Sequence, residues 1–166
     1  MATALSAVQQ FDAPAERVFG LFSDSSFQQG RLVDGGGLDP ELVSLDAGDG
    51  TLTVVTRQSI PASVLPSMVA SMMSGNPVTE RTETWRPDGD GYVADFSVVI
   101  KGAPASLKGT MALADTDAGS TLTVNGQAAV PIPMFGGKIE GIIVEQVSGL
   151  LAGEETYTRQ ALAAGS

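Results

Sequence analysis

A chain of 166 residues is long enough to bury its own core and matches one domain of ordinary size. Its formal net charge of −10 opposes a polyanionic partner, since nine Lys and Arg against nineteen Asp and Glu cannot line a nucleic-acid backbone or favour an anionic membrane surface. With no cysteine and no histidine, the chain has no disulfide, no thiolate metal site, no Ser-His-Asp or Cys-His arrangement and no imidazole base, and no cofactor or metal is called for.

Thr3 to Phe11 alternates apolar with polar residues, the period of a strand. The stretch from Met1 to Phe11 lacks the basic start and continuous apolar run of a signal peptide, and no apolar run in the chain reaches membrane-spanning length, so a cytoplasmic protein without stable membrane insertion is expected. Asp12 is placed as N-cap and Pro14 in the first turn of a short helix whose apolar side is Val18, Phe19, Leu21 and Phe22. Ser25 or Ser26 caps a second short helix to about Val33, ended by Gly35, Gly36 and Gly37. Strands are predicted at Glu41 to Asp46 and Thr51 to Ser59, joined through the hairpin chemistry of Gly48-Asp49-Gly50.

Between Arg57 and Glu80 no residue is charged. Within that window Leu65, Met68, Val69, Met72 and Met73 follow the i, i+3, i+4 spacing of an amphipathic helix, which Pro66 would open. The other face carries the small neutral Ser63, Ser67, Ser71 and Ser74. Such a segment reads as an adaptable lid, thioether side chains repacking around different shapes, as plain core under a loop, or as a face for a second copy of the chain.

Four further strands are predicted at Val78 to Arg86, Gly91 to Lys101, Ser106 to Ala114 and Ser120 to Val130. Tyr92, Ala94, Phe96, Val98 and Ile100 share one face, as do Leu107, Met111 and Leu113, and Leu122, Val124, Ala128 and Val130. One-sided burial with short turns is an antiparallel meander. On the paired strands Arg57, Glu80, Arg81 and Glu83 form either an inward polar cluster or a solvated outer face, and Trp85 stays open between core, rim and interface.

The chain closes on a long amphipathic helix beginning near Phe135, with Phe135, Ile139, Ile142, Ile143, Val147, Leu150 and Tyr157 on one face. Gln146, Gly149 and Gly153 interrupt that stripe with an amide and two gaps, which either leave a cavity beneath the helix or, for the glycines, let a strand or helix approach closely. Gln146 then bonds either a ligand or a strand backbone group or water, the usual fate of a buried amide. Glu154, toward the edge of the stripe, is read as solvated or paired with Lys or Arg. Gly136-Gly137-Lys138 lacks phosphate-loop spacing and is taken as a flexible start to the helix.

The run Phe11-Asp12-Ala13-Pro14-Ala15-Glu16-Arg17-Val18-Phe19 is similar to the strand-to-helix transition of the START-like helix-grip superfamily (SRPBCC), which includes polyketide cyclases and pollen-allergen-type carriers. Val130 to Glu140, with Glu145-Gln146 after it, looks like an uncharacterised bacterial branch of that superfamily. The resemblance spans nearly the whole chain and implies a single domain, 1–166, of α+β helix-grip fold: a curved antiparallel sheet of about six or seven strands around the C-terminal helix, two short N-terminal helices, and an internal cavity for a hydrophobic molecule. The segment Pro61 to Gly75 departs from the tight turn usual at that place. Fold alone fixes no chemistry.

The candidate site is therefore a cavity lined by Ile143, Gln146, Gly149, Leu150 and Gly153 from the helix, Phe96, Val98, Met111 and Val124 from the sheet, and Leu65, Met68 and Met72 from the uncharged segment. No catalytic or metal-ligating residue is assigned. The expected function is binding or carriage of an apolar small molecule, lipid, polyketide-like or isoprenoid. The rivals are a cyclase- or dehydratase-like enzyme using carboxylate, Arg or Tyr groups, and a homo-oligomeric interaction module using residues 58–79.

Overall fold

The structure of the protein, a computed structural model, describes residues 2–34, 38–71 and 75–165, without the side chains of Met68 and Val69. In chain order its elements are β1 (Ala2–Phe11), α1 (Ala15–Phe22), α2 (Ser25–Asp34), β2 (Leu38–Ala47), β3 (Leu52–Ser59), a 3-10 turn (Ala62–Val64), α3 (Ser67–Ala70), β4 (Val78–Asp88), β5 (Gly91–Ile100), β6 (Ser106–Thr116), β7 (Gly119–Ala129) and α4 (Gly136–Ala164). The strands form one antiparallel sheet in the order β1-β7-β6-β5-β4-β3-β2, so β2 to β7 run as a meander and β1 returns beside β7. The sheet curves around α4, which packs chiefly on β1 and β7, giving the α+β helix-grip fold. No helix among the described residues is long and apolar enough to cross a membrane.

Period-2 burial builds the sheet, as in β7, where Ser120, Leu122, Val124 and Ala128 are buried between exposed or half-buried neighbours. At its centre two inward-facing glycines, Gly109 and Gly126, stand opposite each other, with Phe96 the register partner of Gly109. A Cβ at Gly126 would come within 2.9 Å of the Phe96 ring, so the ring occupies the space that a side chain there would need. Both sheet edges are managed. The outer strand β2 carries two register shifts and Asp39 at φ 47°, bulges that break its pairing surface. On β1 the Gln10 N–H donates to Glu155 Oε2 (2.9 Å) and the Gln10 carbonyl accepts from Arg159 Nε (2.9 Å), so two α4 side chains satisfy backbone groups that a further strand would otherwise claim.

The helix caps differ from expectation. Asp12 does not cap α1: the N-cap is Pro14, and Asp115 of β6 accepts the Ala15 N–H instead (2.8 Å). Nor do Ser25 and Ser26 cap α2, because both lie inside it and Asp24 accepts from the Ser26 N–H (3.0 Å). At α2 the Asp24 carboxylate has the advantage over a serine hydroxyl because it carries full charge at the positive helix end. The expected stop at Gly35–Gly37 lies outside the described residues. Gly136 is not a flexible hinge either. It is buried, and a Cβ on it would meet the Val130 carbonyl oxygen at 2.2 Å, so glycine is needed for the close approach of β7's exit to α4.

α1 and α2 close one end of the sheet with aromatic packing. Phe19 stacks on Tyr92 (3.9 Å between centroids), and Phe19 and Phe22 meet Trp85 at 6.1 and 5.7 Å. Trp85 is therefore core, 1 % exposed. The other end of the grip is not filled.

Candidate functional site: a cavity beneath the long helix

Between the middle of α4 and the sheet lies a cavity of about 160 Å³. Leu5, Phe96, Val98, Leu107, Met111 and Val124 supply the sheet wall, and Ile143, Val147, Leu150 and Leu151 the helix wall. Leu38, Gln58, Ser59, Ile60, Pro61, Ile100 and Ser106 close the end where β3 leaves the sheet. Gln146, Val147 and Leu150 on α4 and Ser59, Ile60 and Pro61 opposite them are half-buried, which marks the rim facing solvent. The volume compares with the roughly 150 Å³ that holds a benzene-sized molecule and falls short of the roughly 300 Å³ lower bound for drug-sized ligands. As it stands the cavity fits a single ring or a short branched chain.

Of the residues read from sequence, Ile143, Gln146, Leu150, Phe96, Val98, Met111 and Val124 line this space. Gly149 does not. It is exposed, six residues past Ile143 and so turned about 240° from it around the helix, and a Cβ built there meets nothing within 4 Å. Gly153 is half-buried and Leu65 ends the 3-10 turn in an extended conformation; neither lines the cavity. The segment instead meets the cavity through its start, Gln58 to Pro61, and its return at Thr79. Met72 and the Met68 side chain lie outside the described residues.

Sequence reasoning left Arg81 undecided, and strand parity resolves it. In β4, Thr79, Arg81, Glu83 and Trp85 point inward while Glu80 points outward to Arg57 (2.7 Å) and Lys101 (3.4 Å). Placing Trp85 in the core would have carried Arg81 and Glu83 inward with it. Arg81 lines the cavity, and its guanidinium holds both Glu154 oxygens (2.8 and 3.2 Å) and pairs with Glu83. Glu83 also accepts from Trp85 Nε1 (3.0 Å). Arg31 reaches Glu154 (3.7 Å), donates to Gln28 Oε1 (2.7 Å) and lies over the Phe22 and Phe27 rings. Two arginines and two glutamates thus form a buried cluster of zero net charge. Burial pushes the Glu154 carboxyl up, but Arg81 and then Arg31 outweigh it and hold the group below its ordinary range. Burial likewise works against the Arg81 cation, while Glu154 and Glu83 hold it raised and permanently charged.

The remaining polar groups on the cavity differ in kind. Thr79 donates its hydroxyl to the Gln58 carbonyl (2.9 Å). Among the described residues, the side-chain amides of Gln58 and Gln146 form no hydrogen bond with the protein. The arrangement offers an apolar wall, one charge-paired cation, the hydroxyls of Ser59 and Ser106, and two amides with no hydrogen bond among the described residues. Among the described residues lining it, no free acid faces a free base.

A family model described as "Protein of unknown function (DUF2505)" matches residues 6–162. The uncharacterized protein Rv0481c of Mycobacterium tuberculosis (strain ATCC 25618 / H37Rv) is 33% identical over 156 residues, covering 89% of this chain and 90% of that protein. Among solved structures, the ZhuI aromatase/cyclase from Streptomyces sp. R1128 superposes with a TM-score of 0.62 at 11% identity, over 97% of this chain and 93% of that one. The STAR-related lipid transfer protein from Xanthomonas axonopodis superposes with a TM-score of 0.60 at 21% identity, over 93% and 84%. Both likenesses are of fold.

Proposed function

This chain belongs to the DUF2505 family, within the START-like helix-grip superfamily, and we propose that it binds and carries an apolar small molecule in the cavity beneath α4. The observation that carries this reading is an apolar cavity left open between elements that are otherwise closely packed, with its unengaged hydrogen-bonding groups at the rim. Its size favours a single ring or a short isoprenoid-like chain, and a longer lipid would have to displace the rim formed by Ser59 to Pro61. That one solved relative of the fold is a lipid transfer protein and another an aromatase/cyclase is consistent with either carriage or chemistry.

The enzyme reading draws on Arg81, a fixed cation in the cavity wall, but it needs a second acid or base free to act, and both carboxylates beside Arg81 are bound to it. An interface role for residues 58–79 is less well supported, since Gln58 to Pro61 and Thr79 face the cavity. The test is mass spectrometry of a solvent extract of the purified protein together with calorimetric titration of the extracted protein with ethylbenzene. A co-purifying apolar compound and saturable ethylbenzene binding are expected. Absence of both overturns the proposal.

A further inference from the structure

The four glutamines that are buried or half-buried fall into two groups. Inside the packed core, Gln9 donates to the Leu151 carbonyl (3.0 Å) and Gln28 to the Phe22 carbonyl (2.8 Å), so each is tied to backbone. On the cavity, Gln58 and Gln146 are not tied. They come from opposite sides: Gln58 from the end of β3, where the Thr79 hydroxyl fixes its backbone, and Gln146 from α4 between Ile143 and Leu150. The charge arrangement behind them is closed. The Arg81 cation is paired with Glu154 through both terminal nitrogens and with Glu83 through one of them, and those carboxylates are neutralised in turn.

We infer that the cavity selects neutral ligands bearing one hydrogen-bonding oxygen, such as a ketone, ester, amide or alcohol, over carboxylates and ammonium ions of equal size, with Gln58 and Gln146 as the recognising groups. This rests on the ligand-binding reading of the same cavity. A carboxylate entering it would leave water without gaining a free cation, and an ammonium would find both buried carboxylates already engaged. A primary amide offers one acceptor and two donors, so either Gln can meet a carbonyl or a hydroxyl while the apolar body lies against Phe96 and Met111.

Four size-matched probes test this by calorimetry on extracted protein near neutral pH: ethylbenzene, acetophenone, benzoate and benzylammonium. Acetophenone should bind at least about tenfold more tightly than either ion, and several-fold more tightly than ethylbenzene. In the double variant Gln58→Leu, Gln146→Leu the ratio of acetophenone to ethylbenzene affinity should fall to about one. In Gln146→Lys, which brings a cation to the rim, benzoate should gain at least about tenfold on acetophenone. Should the double variant fail to fold, Gln146→Lys alone reads the selectivity. Equal or tighter binding of benzoate, benzylammonium or ethylbenzene than of acetophenone overturns the inference, as does a ratio that the variants leave unmoved. If none of the four probes binds, ethylbenzene included, it is the binding reading itself that fails.

Discussion

Along α4, the stretch from Ile143 to Leu151 spans an opening, with the Gln146 amide unengaged, whereas the turns that follow it, to Leu162, lie on a filled interior. There Glu154 is held by Arg81 and Arg31, the Thr158 hydroxyl donates to the Glu154 carbonyl (2.7 Å), and Gln9 reaches the Leu151 carbonyl. The helix start is fixed too: the buried Glu140 accepts from the Val130 N–H (2.9 Å) and the Thr3 hydroxyl (2.8 Å). α4 is therefore anchored at both ends and bridges the cavity between them. Two polar residues eight positions apart, Gln146 and Glu154, have opposite roles for this reason: one faces a space that the fold keeps open, the other is a buried ion whose partners are part of the fold.

The largest effect is expected at the filled end. Glu154→Gln strips the carboxylate from two buried arginines and should cost about 3–5 kcal/mol in denaturant unfolding, the usual penalty for removing one partner of a buried pair. A cost below about 1 kcal/mol would mean that this end is no more fixed than the cavity. In the wall between the two ends, Gly126→Ala forces the Phe96 ring away from a Cβ 2.9 Å distant and should cost about 1–3 kcal/mol while shrinking the cavity. Unfolding curves read the first effect and the ethylbenzene affinity the second.

Acid should loosen both anchors. The Glu140 carboxyl lies below its ordinary value of 4.5 because it accepts from Val130 and then from Thr3. Glu154 is lowered as well, through its arginines, against the opposing effect of burial. A carboxylate lowered in the folded state stabilises fully above its unfolded pKa, and that contribution is lost as pH falls through the folded one. Stability should therefore be flat through neutral pH and decline below about pH 4.5. Glu140→Gln should flatten that decline, which thermal melts from pH 6 to 3 would show. The smallest effect is expected at the open end. Gln146→Leu in the ligand-free protein should shift stability by less than about 0.5 kcal/mol, since no hydrogen bond within the protein is lost. A loss of about 1–3 kcal/mol would reveal a structural partner and erase the contrast with Glu154.

The apolar half of the site was legible in the sequence. Phe96, Val98, Met111 and Val124 declare their face by period-2 alternation, and Ile143 and Leu150 by helical spacing, because water-avoiding side chains must share a side whatever the fold. The polar half was not. Arg81 and Glu83 stayed open between an inward cluster and an outer face, and Glu154 between solvent and a Lys or Arg partner, since hydropathy treats charge as exposure and cannot name a partner 73 residues away, as Glu154 is from Arg81. The glycines misled in the same way. Gly149 was read as making room or allowing a close approach and lies exposed, while Gly126, whose missing side chain leaves space for the Phe96 ring, shows only once β6 and β7 are in register.

The sequence by itself determined the element order, the strand faces, the long closing helix and, through two absent residue types, the catalytic machinery this chain cannot have. Those are local matters of period, turn chemistry and inventory. Only the tertiary structure decided which charges are buried, where the helix is anchored and where the interior stays empty. Each of these depends on groups far apart in the chain meeting at hydrogen-bond distance, and on the volume that α4, fixed at Glu140 and Glu154, leaves above a curved sheet.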